Sequence, residues 1–173
     1  TTLADESPED IDAVLDWMSE QTTEASYINL TPCAGSHSSE SISGRFWGGN
    51  LTVLGHLAGT GFLPKMPGIL FLEDVGERPY RIDRILHQLE QSQAFANIQA
   101  VVLGHFSHCE EPETGQKRMG PVPTTKEVLQ AHFARLKIPV YEGLPCGHQA
   151  PNHAFPVGGE ATIQQSNDRA TLY

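Results

Sequence analysis

Gly68-Ile69-Leu70-Phe71-Leu72-Glu73-Asp74 is a short, unbroken apolar run that stops at two carboxylates. Four apolar residues without alternation describe a strand buried on both faces, the pattern of a parallel sheet. Downstream, Ile82, Ile85, Leu86 and Leu89 recur at helical spacing. Ala100-Val101-Val102-Leu103 is a second such strand, running into Gly104-His105-Phe106-Ser107-His108-Cys109. Residues 110–123 are polar and rich in turn formers, and read as an exposed excursion. Thr124 and Glu127 form a capping box ahead of a helix bearing Val128, Leu129, Phe133 and Leu136. Ile138-Pro139-Val140-Tyr141 is a third strand, followed by Gly143-Leu144-Pro145-Cys146-Gly147-His148. Strand, helix, strand, helix, strand over residues 69–141 is an α/β layout with right-handed crossovers.

β-rich segments flank this middle. Residues 41–47 read as a strand ending at Trp47; Gly48-Gly49 then breaks the chain. Asn50 caps a helix carrying Leu51, Leu54 and Leu57, and Gly59, Gly61, Pro64 and Pro67 mark a loop. Near the start, Ser7 is an N-cap, Pro8 occupies the first helical position, and Glu9 and Asp10 complement the helix dipole. Ile11, Val14, Leu15 and Met18 form a helical stripe that should stop near Glu20. Residues 25–31 read as a strand, and Pro32 to Ser39 as a small polar loop. Ala161, Ile163 and Leu172 belong to a closing hairpin that turns at Ser166-Asn167-Asp168.

The chain has 173 residues, the size of one domain. With 39% hydrophobic and 18% charged residues it is too apolar to be disordered. Eleven basic against 21 acidic residues give a net charge of −10, which argues against nucleic acid as a partner. No apolar run approaches the ~20 residues that span a bilayer, so no membrane partner is expected. The acidic start, Thr1-Thr2-Leu3-Ala4-Asp5-Glu6, does not read as a signal peptide. Cys33, Cys109 and Cys146 leave one thiol unpaired and form no CxxC, which fits a reducing, cytoplasmic location.

Ligands of such sheets collect beyond the carboxyl ends of the parallel strands. Three strands end there in polar groups: Glu73 with Asp74, His105 with His108, and His148. An acid beside an imidazole suits general-base work, the carboxylate fixing the ring tautomer. The competing reading is that Glu73 or Asp74 caps the following turn. His105, His108, Cys109, Cys146, His148 and His153 are metal-ligand types, but their spacing matches no zinc pattern; local hydrogen bonding is the reading, with neither metal nor cofactor expected. Cys146 lies two residues from His148, so a Cys–His nucleophile stands against a packed cysteine. Ser36, Ser38 and Ser39 read as solvated loop residues, and no serine elbow is present. Residue by residue, the sequence reaches an acid and a histidine without a nucleophile.

Several segments together resemble the C-terminal half of the LD-carboxypeptidases, the serine-peptidase family that includes microcin-immunity peptidases. They are Gly44-Arg45-Phe46-Trp47-Gly48-Gly49-Asn50-Leu51, Gly59-Thr60, Gly68 to Glu77, Pro79-Tyr80-Arg81-Ile82-Asp83-Arg84, Leu103-Gly104-His105-Phe106, Ile138-Pro139-Val140 and Gly143 to His148. They occur in the family's order over roughly residues 40–160. The resemblance implies a three-layer β/β/α swivelling-type fold, with residues 1–173 as one C-terminal domain and 1–24 as its N-terminal helix and connection. It implies a Ser-His-Glu triad in which this domain supplies Glu73 and His148, Glu77 being the competing acid, and Trp47, Gly48, Gly49 and Asn50 line the substrate cleft. Glu73 is preferred because a strand end holds a carboxylate more rigidly than the turn after it; Asp74 reads as a structural neighbour.

The implied reaction is hydrolysis of the L,D-peptide bond of a murein tetrapeptide, releasing D-alanine in peptidoglycan recycling. The implied partners are that peptide, an N-terminal domain carrying the serine, and a second copy in a homodimer. The nucleophile domain is missing from these residues, Cys146 stands where the family commonly has an aromatic, and the 110–123 excursion is long. Loss of a triad nucleophile costs roughly six orders of magnitude in serine proteases, so the isolated chain is expected to be inactive. Two other functions remain open at this stage: a non-catalytic peptide-binding or immunity module, and a Cys- or metal-dependent hydrolase.

Overall fold

The computed structural model describes residues 8–19, 27–33, 41–112 and 121–173. In chain order the elements are α1 (Pro8–Met18), β1 (Tyr27–Pro32), β2 (Ile42–Asn50), α2 (Leu51–His56), β3 (Gly68–Val75), α3 (Pro79–Gln91), β4 (Ile98–Ser107), α4 (Thr125–Leu136), β5 (Val140–Glu142), β6 (Glu160–Ser166) and β7 (Arg169–Leu172). The strands close into one barrel in the order β1-β5-β4-β3-β2-β6-β7. Pairing is parallel from β2 through β3 and β4 to β5. It is antiparallel where β1, β6 and β7 complete the circuit. The α/β class read from the sequence is the class observed.

Alternate residues of the parallel strands face opposite ways, and both sides are apolar. Leu70, Leu72, Val101 and Leu103 pack under the helices, against Ile82, Leu86 and Leu89 of α3 and Leu129 and Phe133 of α4. Ile69, Phe71, Ala100 and Val102 point the other way, into the barrel, where they meet Leu30, Tyr141, Ile163 and Leu172. An uninterrupted apolar strand is what two cores on one sheet require.

Several boundaries differ from the sequence reading, each for a local reason. β2 does not break at Gly48-Gly49 but runs through both to Asn50. Both glycines have positive φ (147° and 144°), and a Cβ at Gly48 would lie 1.9 Å from the Phe71 carbonyl oxygen. The glycine lets two strands approach closely rather than ending one. β3 continues past Leu72 and takes in Glu73 and Asp74, both buried. β5 starts later than expected because Lys137 ends α4 in the left-handed region (φ 58°) and the Ile138 N–H closes back on the Phe133 carbonyl oxygen. The capping box at Thr124 and Glu127 forms in both directions, and the closing hairpin turns at Asn167. α1 forms, yet Leu15 and Met18 of its stripe stay exposed. Ser7, Glu20 and the serine loop lie outside the described residues.

Candidate active site

Glu73 and Asp74 are neighbours on β3 with opposite duties. Side chains alternate along a strand, so Glu73 shares the barrel side with Phe71 while Asp74 turns to the helix side. There Asp74 Oδ2 accepts the Thr52 backbone N–H (3.0 Å) and hydroxyl (2.8 Å), and Oδ1 accepts from Asn50 Nδ2 (3.0 Å) and the Val75 N–H (2.8 Å). Asp74 therefore ties the start of α2 to the end of β3. Its neighbour Glu73, 6% exposed, is held for a different contact: its Oε2 lies 2.7 Å from His148 Nδ1.

The backbone brings His148 there. Beyond β5 the chain stays beside β4, with Leu144 N–H bonding to the Leu103 carbonyl oxygen (3.2 Å) and His105 N–H to that of Cys146 (2.8 Å). β4 carries one extra residue opposite Glu73, since Leu72 pairs with Leu103 but Asp74 with Phe106. Such a bulge bends a strand and re-aims its next side chains. Gly104 lets the loop approach: a Cβ there would sit 2.5 Å from the Cys146 carbonyl oxygen. Gly147, at φ 137°, passes directly over the carboxylate; a Cβ there would lie 3.0 Å from His105 Cβ and 3.3 Å from Glu73 Oε2. Asn152 Oδ1 accepts the Gly147 N–H (3.0 Å), and Gln149 Oε1 accepts the Ser107 hydroxyl (2.9 Å), so the loop is pinned on both sides of His148. The sequence reading missed Gly104 and Gly147; their signal was a glycine beside a polar strand end and another just before a histidine.

A carboxylate only accepts hydrogen bonds, so Glu73 fixes the proton of His148 on Nδ1 and leaves a lone pair on Nε2. The ring is 39% exposed while the carboxylate beneath is 8% exposed. This is an oriented base open to solvent. Glu77, the alternative acid, instead lies 3.5 Å from Arg81, one turn along. Of the two acids, Glu73 is the one that reaches the ring.

Other residues singled out from the sequence take different places. Trp47 does not line this cleft. It is 6% exposed and packs in the core beneath the helices, because it alternates with Phe46 and so faces away from the Glu73 side. Asn50 is committed to structure: its Oδ1 accepts the Val53 N–H and caps α2, while its Nδ2 serves Asp74. The β3 backbone occupies the space beside Gly48. Gly49 is the position of these four that borders free space, with nothing within 4 Å of a Cβ built there.

Cys146 lies close to Glu73, but burial, reinforced by that carboxylate's charge, pushes its thiol up to about 11. Such a thiol is protonated at neutral pH and is a poor nucleophile. His108 is exposed, with φ 55°. Cys109 is buried with its thiol also raised to about 11 by desolvation. Neither the His105/His108/Cys109 set nor the Cys146/His148/His153 set forms a ligand group; among the described residues only Asp83, His87 and His132 do.

With this geometry in place, the kinship is plain. The chain belongs to the LD-carboxypeptidase C-terminal domain family, which matches residues 43–163. It is 36% identical to the murein tetrapeptide carboxypeptidase of Pseudomonas aeruginosa, over 71% of this chain and 38% of that protein. A Synechocystis sp. protein bearing a carboxypeptidase name is 37% identical over 99% of this chain and 53% of its own length. The crystal structure of muramoyltetrapeptide carboxypeptidase from Oxalobacter formigenes superposes with a TM-score of 0.71 at 35% identity, over 92% of this chain and 54% of that one. The chain thus spans about half the length of the relatives it matches or less. The microcin C7 self-immunity protein MccF, at 20% identity and a TM-score of 0.67, shares the fold.

Proposed function

We propose that this chain is the Glu–His half of a serine-type LD-carboxypeptidase. It would act on the L,D-peptide bond of a murein tetrapeptide and release D-alanine, in cytoplasmic peptidoglycan recycling. The observation that carries the reading is the 2.7 Å contact between Glu73 Oε2 and His148 Nδ1 at the carboxyl ends of the parallel strands. A serine brought to Nε2 by a nucleophile-bearing domain would give up its proton to His148. The same imidazolium would then protonate the departing D-alanine, with Glu73 holding the ring and balancing its charge. Nothing in this scheme needs a cofactor.

We read the 173 residues as one domain and the barrel as the family's β/β/α layering, a reading favoured by the separate cores on the two sides of the parallel strands. Homodimerisation belongs to the same proposal. The Cys146 alternative is disfavoured by the raised thiol.

The test is release of D-alanine from a murein tetrapeptide, with the isolated chain assayed beside the protein in which it is joined to a nucleophile domain. Only the joined form should turn over. Turnover by the isolated chain would move the chemistry onto its own residues.

A further inference from the structure

The helical side of the molecule carries a second group of chemistry-bearing side chains that the triad does not use. Asp83 and His87 are four residues apart on α3 and therefore share a face. His132 comes from α4, which packs against α3. The three offer ligand atoms within 4.8 Å of one another. They line a cavity of about 580 Å³, together with Tyr80, Glu127 and Arg135, on the opposite side of the sheet from Glu73. We propose that Asp83, His87 and His132 form a binding site for a divalent transition-metal ion that ties α3 to α4.

The strongest support is His132. Its side chain is 2% exposed, and among the described residues its buried Nε2 makes no hydrogen bond, with Glu90 Oε2 standing off at 3.5 Å. An imidazole nitrogen so placed is costly unless something occupies its lone pair. The ring is clamped edge-on by Phe95, Phe133 and His87, with centroids 5.9, 5.5 and 5.1 Å away. His87 is prepared in the way ligating histidines are. Its Nδ1 lies 2.9 Å from the Asp83 carbonyl oxygen, which fixes one tautomer and leaves Nε2 with its lone pair. The Asp83 carboxylate supplies a negative oxygen, and Glu90 Oε2 lies 3.5 Å from His132 Nε2. Arg135 is the opposing charge nearby, and it is neutralised by pairing with Glu90 through both terminal nitrogens (2.9 and 2.5 Å). Two imidazoles and a carboxylate suit zinc, nickel or cobalt, and suit magnesium or calcium poorly.

Titration of the chain with Zn²⁺ by calorimetry, and with Co²⁺ by visible absorption, tests this. The expected result is one ion per chain, with ligand-field bands for Co²⁺ and a Tm raised by Zn²⁺. His87→Ala and Asp83→Asn, both at exposed positions, should weaken uptake by roughly tenfold or more while leaving the circular dichroism unchanged. His148→Ala and Cys146→Ser should leave uptake as it is. Absence of uptake, uptake indifferent to His87→Ala and Asp83→Asn, or uptake abolished by His148→Ala would overturn the proposal.

Discussion

The proposed chemistry of the site rests on Glu73 and His148, whose side chains meet at 2.7 Å. Glu73 is buried and aims an oxygen at His148, while the adjacent Asp74 absorbs four hydrogen bonds and holds the strand end still. The third group in the cleft, Cys146, is inert by environment. Its thiol, raised from 9.0 to about 11, should react slowly with an alkylating reagent at pH 8 and speed up as pH approaches that value. The same shift has a stability consequence. As pH rises from 9 towards 11, the unfolded thiol loses its proton before the folded one, so the unfolded state gains and stability falls across that window. Denaturant unfolding at pH 8 and pH 10 should show this loss, reduced in Cys146→Ala; an alkaline loss identical in the variant would assign it to other groups, Cys109 first among them.

At the scale of elements, the site is a property of strand ends and of the glycines that let them meet. Gly147→Ala places a Cβ in a backbone region that L-residues avoid, 3.0 Å from His105 Cβ. It should cost about 1–3 kcal/mol in stability and displace His148 enough to lose activity. Thermal melts and turnover measured together check this, since unaltered turnover would deny that Gly147 positions the histidine. Asp74→Ala removes the anchor of α2 and leaves the Thr52 N–H without its acceptor. It should destabilise the protein by about 3 kcal/mol in a urea titration.

These elements also show what the sequence disclosed. Unbroken apolar runs at 69–72 and 100–103 reveal strands with two buried faces, because only a sheet covered on both sides tolerates them. The Thr124–Glu127 box marks a helix start because its bonds are local. The extension of β3 through Glu73 and Asp74 was hidden, because the partners that offset the burial of two acids include Asn50, Thr52 and His148, remote in sequence. Trp47 misled for a related reason: beside two glycines it looks like a cleft wall, and only strand parity shows that it faces the helices.

Across the whole molecule, the barrel is closed by its last strands, and β7 pairs with both β1 and β6. Deleting residues 169–173 would expose the edges of β1 and β6 and uncover Leu30 and Ile163. The truncated chain should aggregate or lose its cooperative melt, whereas an unchanged melt would deny that closure stabilises the fold. The closed barrel is also what holds β3, β4 and the loop to His148 in register, so the geometry of the pair is global as well as local. Its meaning is tested most directly by steady-state kinetics of D-alanine release in the protein that joins this chain to a nucleophile domain, with three substitutions compared. Glu73→Gln should lower kcat about 10⁴-fold with KM little changed, His148→Ala about 10⁶-fold, and Glu77→Gln hardly at all. Full activity in Glu73→Gln, or a collapse in Glu77→Gln instead, would contradict the assignment of Glu73 as the acid that orients the catalytic histidine.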